Sequence, residues 1–120
     1  MGLTYVTVRL STDTTSKKHF TAEFLVDTGA IDSMAPGKAL RSAGIKPVGK
    51  TAYELADGQI KEFEFGLATI QFMGEITSGR VIFGEDKSEP LLGVTALESV
   101  GILVDAANKT LKRLPAIPLK

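Results

Sequence analysis

The sequence predicts a mainly β domain of short strands with one or two helical turns. Three observations carry this: apolar and polar residues alternate with a period of two at the start of the chain, an Asp-Gly pair sits between two strand-like runs in the middle, and only two short segments have helix punctuation. At 120 residues the chain fits one domain, spanning 1–120, with a single core. Its 43% hydrophobic and 23% charged residues are those of an ordinary soluble globular protein and argue against a disordered or membrane chain.

Leu3 to Leu10 places Leu3, Tyr5 and Arg9 on one face and Val6, Val8 and Leu10 on the other, a strand pattern enriched in β-branched residues. The polar cluster Ser11 to Lys18 reads as a turn into a second strand, His19 to Val26. The first helix candidate is Pro36 to Ala43, with Pro36 suited to the first turn and Gly44 to the C-terminal cap. Strands then return as Ala52 to Ala56 and Gln59 to Phe65 around the Asp57-Gly58 turn. Leu67 to Met73, bracketed by Gly66 and Gly74, and Thr77 to Phe83 follow. After the acidic turn Glu85 to Glu89, Val94 to Val100 is the second helix candidate, closed by Gly101. Ile102 to Val104 and Thr110 to Leu114 form a last hairpin, and Pro115 and Pro118 limit further pairing.

Charge and residue counts narrow the chemistry. Fourteen Lys plus Arg balance fourteen Asp plus Glu, so no electrostatic footprint points to nucleic acid or an anionic membrane surface as partner. With no cysteine there are no disulfides, thiol nucleophiles or Cys-based zinc sites. The lone His19 argues against a His-rich metal site or a Ser-His-Asp triad. Neither metal nor cofactor is expected, and any reaction must use carboxylates, hydroxyls, lysines or backbone. The start of the chain shows no signal-peptide pattern, which predicts a cytoplasmic protein.

The informative stretch is Phe24-Leu25-Val26-Asp27-Thr28-Gly29-Ala30, three apolar strand residues delivering an Asp into a tight turn. A carboxylate at the end of an apolar strand is costly to ionise without hydrogen bonds, and the Thr28 hydroxyl and the Gly29 N–H can supply them. Gly29 also lets backbone approach the carboxylate closely. A bare Asp-Thr-Gly reads more readily as an Asp capping a turn, since Asp and Gly are ordinary turn residues.

The full string resembles the apolar-apolar-Asp-Thr/Ser-Gly-Ala signature of aspartic proteases. Downstream, Leu91-Leu92-Gly93 followed by a short helix is similar to the second motif of retropepsin-like enzymes, and the hairpin Tyr53 to Phe63, tipped by Ala56-Asp57-Gly58-Gln59, lies where that family carries its flap. The resemblance runs from Tyr5 to Leu114. It implies a closed acid-protease-like β-barrel with one or two short helices, assembled as a homodimer, in which the apolar pair threads beside the catalytic loop. Viral members place an acidic residue after Asp-Thr-Gly-Ala and an Arg after the downstream Gly, and the two pair. This chain has Ile31 and Val94 there, a coherent double replacement, since removing one partner alone would strand a charge. The pattern points to the cellular, prokaryotic-type relatives.

Aspartic-protease chemistry needs two carboxylates about 3 Å apart, and this chain has one Asp-Thr-Gly. Val104-Asp105-Ala106 lacks the Thr-Gly and reads as a hairpin turn. The resemblance therefore implies a homodimer in which Asp27 of each subunit meets on the two-fold axis and Thr28 braces the pair, cleaving an extended polypeptide substrate. Ala30 and Ile31 on the floor, with Ile60 or Gln59 on the flap, are the expected cleft lining. A non-catalytic dimeric peptide-binding module on the same fold is the alternative. Other residues read more plainly: His19 as a solvated edge residue, Asp32 as a turn or cap rather than a substrate contact, although the resemblance implies a polar specificity residue near there, and Lys109, Lys112, Arg113 and Lys120 as a solvated tail face.

Overall fold

The computed structural model describes residues 4–119, so the predicted strand position of Leu3 and the tail cation Lys120 lie outside the described residues. The elements in chain order are β1 (Tyr5–Ser11), β2 (Phe20–Asp27), β3 (Ser33–Pro36), α1 (Gly37–Ser42), β4 (Gly49–Glu54), β5 (Ile60–Phe72), β6 (Glu75–Gly84), β7 (Leu91–Gly93), α2 (Val94–Ser99), β8 (Ile102–Asp105) and β9 (Thr110–Arg113). The strands β1-β2-β7-β3-β6-β5 run side by side, and β5 returns to β1 through Arg9–Gln71, Leu10–Ile70 and Ser11–Thr69. That last pairing closes a six-stranded barrel. Closure leaves the barrel without open edges, while β4 extends from β5 as one arm of a hairpin and β8–β9 form a separate two-stranded sheet.

The period-two pattern of the first strand places Val8 and Leu10 in the interior at 0% exposure. Phe24, Leu40, Ile45, Ile70, Val81, Leu92, Leu97 and Ile102 join them in that core, drawn from strands, both helices and the loop after α1. α1 begins one residue later than expected, with Pro36 as the cap rather than inside the first turn. Gly44 at φ +85° takes the left-handed position that stops it. α2 ends at Ser99, and Gly101 at φ +70° turns the chain into β8. No helix among the described residues is long and apolar enough to cross a membrane.

The strand pattern differs from the sequence reading at two places. Gly66 does not separate two strands: β5 is continuous from Ile60 to Phe72. The glycine is there for proximity, because a Cβ at that position would sit 2.7 Å from the Lys46 carbonyl and 2.9 Å from Ile45 Cγ2. β3 was not anticipated, since Ser33-Met34-Ala35-Pro36 carries neither alternation nor β-branched residues. It is recruited by neighbours on both sides, parallel to β6 and antiparallel to β7.

The C-terminal hairpin differs in detail. Asp105 closes β8 and accepts the backbone N–H (3.2 Å) and the Nδ2 (2.8 Å) of Asn108, and these bonds hold its carboxyl below the usual range. Asp105 is thereby a turn residue, as its context predicted. Arg113 is no solvated tail cation: its guanidinium reaches the Met73 carbonyl and lies 3.7 Å from Glu75, fastening β9 to the β5–β6 turn. His19 is exposed, with Nδ1 2.8 Å from Thr21 Oγ1.

Candidate active site

Asp27 is the last residue of β2, and the chain beyond it folds back at once: the Ala30 N–H donates to the Asp27 carbonyl at 3.1 Å. The Gly29 N–H donates to Asp27 Oδ1 at 3.0 Å. A Cβ on residue 29 would lie 3.2 Å from that same oxygen, so the glycine allows the tight approach the sequence suggested. The Thr28 hydroxyl does not join in; it is exposed and has no hydrogen-bond partner among the described residues. The carboxylate is half-buried and receives no other hydrogen bond among the described residues.

The second motif lies directly beside the first. β7 runs parallel to β2 with Leu25–Leu91, Val26–Leu92 and Asp27–Gly93 in register. Three bonds then tie the loop after Asp27 to the start of α2: Val94 N–H to the Ala30 carbonyl (2.8 Å), Thr95 N–H to the Ile31 carbonyl (3.2 Å) and Gly93 N–H to the buried Ser33 Oγ (3.0 Å). Gly93 has ordinary extended backbone, φ −83° and ψ 165°, so conformation is not what requires it. Contact is: a Cβ there would sit 2.6 Å from the Asp32 carbonyl carbon and 2.7 Å from the Ile31 and Asp32 oxygens, all backbone atoms that cannot yield. Gly93→Ala is therefore expected to destabilise the fold by about 2–3 kcal/mol in urea unfolding at fixed protein concentration. Gly79→Ala, where nothing lies within 4 Å, is the control and should stay within about 0.5 kcal/mol. Equal midpoints for the two variants would remove close packing as the reason for Gly93.

The hairpin β4–β5 arches over this loop and encloses a cleft of about 990 Å³. Its tip follows the Asp-Gly reading: Asp57 Oδ1 accepts the Gln59 N–H at 3.0 Å, Gly58 takes φ +87°, and Leu55 N–H donates to the Gln59 carbonyl at 2.7 Å. Asp27, Gly29, Ala30 and Ile31 line the floor, and Leu91 of the second motif and Ala56 of the flap tip also reach the cleft. Leu92 and Gly93 are buried behind the loop. Asp57, Gly58, Gln59 and Ile60 do not line it. Ile60 is 74% exposed because alternation along β5 turns it away and turns Lys61 and Phe63 inward.

The sequence reading missed Tyr53 as an individual residue, and Asp32, for which a substrate contact is the second reading beside a turn or cap, lines the cleft. Tyr53 Oη donates to Asp32 Oδ2 at 2.6 Å, joining flap and floor. Burial first, then the Asp32 carboxylate, raise the Tyr53 phenol above its ordinary value, with Arg80 acting in the opposite sense. Among the described residues no group of three or more His, Cys, Asp or Glu is placed to hold a metal ion.

No family model matches the sequence, and no curated protein matches it significantly. Solved structures do. A retropepsin-like aspartic protease from Rickettsia conorii is similar over 87% of this chain and 85% of its own, at 23% identity and a TM-score of 0.51. The retroviral protease-like domain of Ddi1 from Leishmania major is similar over 96% of this chain and 92% of its own, at 16% identity and a TM-score of 0.54. The closed barrel, the parallel β2–β7 pair and the overarching hairpin thus make up a retropepsin-like fold.

Proposed function

We propose that the protein is an aspartic endopeptidase that works as a homodimer, with Asp27 of each subunit forming one catalytic pair. The observation that carries this reading is the placement of Asp27: a carboxylate at a strand end, fixed by the Gly29 N–H, on the floor of a cleft roofed by a hairpin. One carboxylate cannot serve as base and acid together. Paired with its symmetry mate, one ionised Asp27 takes a proton from a water that attacks the peptide carbonyl, while the protonated partner donates to the carbonyl oxygen. The carboxyl that took the water's proton then gives it to the leaving amine as the C–N bond breaks, and a hydroxyl of the tetrahedral intermediate returns its proton to the other carboxylate as the carbonyl re-forms. The exposed Thr28 hydroxyl beside Asp27 fits a role in bracing the partner's loop.

The substrate enters as an extended strand beneath the flap. Main-chain hydrogen bonds give affinity, and Ala30, Ile31, Leu55 and Phe63 offer apolar walls for its side chains. Two adjacent carboxyls that share one proton titrate as a unit, so peptide hydrolysis should follow a bell-shaped pH profile: the pair loses its base when doubly protonated and its acid when doubly ionised. Initial rates on a peptide library across acid to alkaline pH test this. A rate that climbs steadily into the alkaline range contradicts a carboxyl pair.

A further inference from the structure

Tyr53 on β4 and Lys61 on β5 are cross-strand partners, and each sends its polar end off the hairpin to a different wall of the cleft. Tyr53 reaches Asp32 on the floor at 2.6 Å, and Lys61 reaches Glu85 beyond β6 at 2.9 Å. Past this rung the hydrogen bonds of residues 55–60 are all internal to the hairpin among the described residues. The Tyr53–Lys61 rung is therefore the outermost tie of the hairpin, which is free above it; nearer the base Arg80 Nη1 on β6 donates to Thr51 Oγ1 on β4 at 3.1 Å. The two fasteners of the rung are unequal. Lys61 and Glu85 are 49% and 77% exposed, a pair that contributes little in water. The Tyr53–Asp32 bond is short, charge-assisted and half-buried, and the Tyr53 ring packs edge-on against Phe63 with centroids 6.2 Å apart.

We propose that Tyr53 is the positioning residue of the flap: through Asp32 its hydroxyl sets the height of the hairpin over Asp27, and the cleft opens and closes about the Tyr53–Lys61 rung. The consequence for catalysis rests on the peptidase reading above, whereas the hinge itself can be measured without turnover. The chain has no cysteine, so a nitroxide on Gln59→Cys reports the flap tip alone. It has two tyrosines, so in a Tyr5→Phe chain the ultraviolet titration of phenol reports Tyr53 alone. The charged groups acting on that phenol are Asp32 from the floor and Arg80 from β6, while Lys61, its cross-strand partner, is directed to Glu85.

Asp32→Asn in the Tyr5→Phe chain should move the phenol titration to lower pH, because the carboxylate that opposes ionisation is gone. Tyr53→Phe should raise label mobility at the tip and increase KM by about 10-fold with kcat changed by less than about twofold, the signature of lost positioning. Lys61→Met should leave label mobility at the tip close to that of the wild-type chain, because its exposed pair with Glu85 contributes little. Unchanged label mobility in Tyr53→Phe, a phenol indifferent to Asp32, or a fall in kcat at constant KM would each overturn the hinge. Absence of hydrolysis by the wild-type chain would overturn the peptidase reading and leave the label and the titration to decide the hinge.

Discussion

Asp27→Asn is expected to leave the barrel standing and to lower peptide hydrolysis by about 10³-fold or more, the loss that follows when an essential proton-transfer group is removed. The fold should tolerate the change because the Asn oxygen can still accept the Gly29 N–H that Asp27 Oδ1 accepts at 3.0 Å, and the side chain is only half-buried. Stability is therefore expected within about 1 kcal/mol of wild type. The amide has no basic lone pair with which to take a proton from water, so activity should not return at any pH. Circular dichroism and a urea titration check the first half, and cleavage of a peptide library checks the second. An Asp27→Asn protein that hydrolyses peptides at the wild-type rate would show that another group is the base.

What was legible in the sequence was local chemistry. The Asp27-Thr28-Gly29 turn, the Asp57-Gly58 hairpin and the glycines at 44 and 101 that end the helices are each specified by residues within a few positions of one another. What was not legible depends on partners distant in sequence. β3 has no strand signal of its own and exists because β6 and β7 flank it. Gly66 looks like a break in one dimension and is a close-approach site in three, determined by Lys46 and Ile45. The Tyr53–Asp32 bond joins residues 21 apart that only the curl of the hairpin over the floor brings together.

The departure at Ile31 and Val94 has a structural account. With Ile31 and Val94 in these places, the loop after Asp27 is held to α2 through backbone bonds from the Val94 and Thr95 N–H groups to the carbonyls of Ala30 and Ile31. Main-chain bonds are indifferent to the side chain carried. Ile31, at 69% exposure, is then free to present an apolar surface to the cleft it lines.

Mixing wild-type and Asp27→Asn chains tests the shared site rather than the residue. If each subunit supplies one carboxyl, a threefold excess of Asp27→Asn chain leaves about one dimer in sixteen with two aspartates, and activity per wild-type chain falls to about a quarter under random exchange. If each chain acts alone, activity per wild-type chain does not change. Dilution probes the same requirement, since activity per chain must fall once the concentration drops toward the dimer dissociation constant. The surface offers apolar area for such an interface. Leu103, Leu114, Ile117 and Leu119 are 44%, 37%, 55% and 99% exposed around the β8–β9 hairpin, a two-stranded sheet that is marginal alone and has free edges among the described residues. Pro115 and Pro118 remove donors from the segment that follows, so pairing there should use β8 or β9 rather than the tail. Sedimentation run beside the assay separates the outcomes: a monomer with full activity per chain defeats the shared site, and a stable dimer that cleaves no peptide shifts the function to binding.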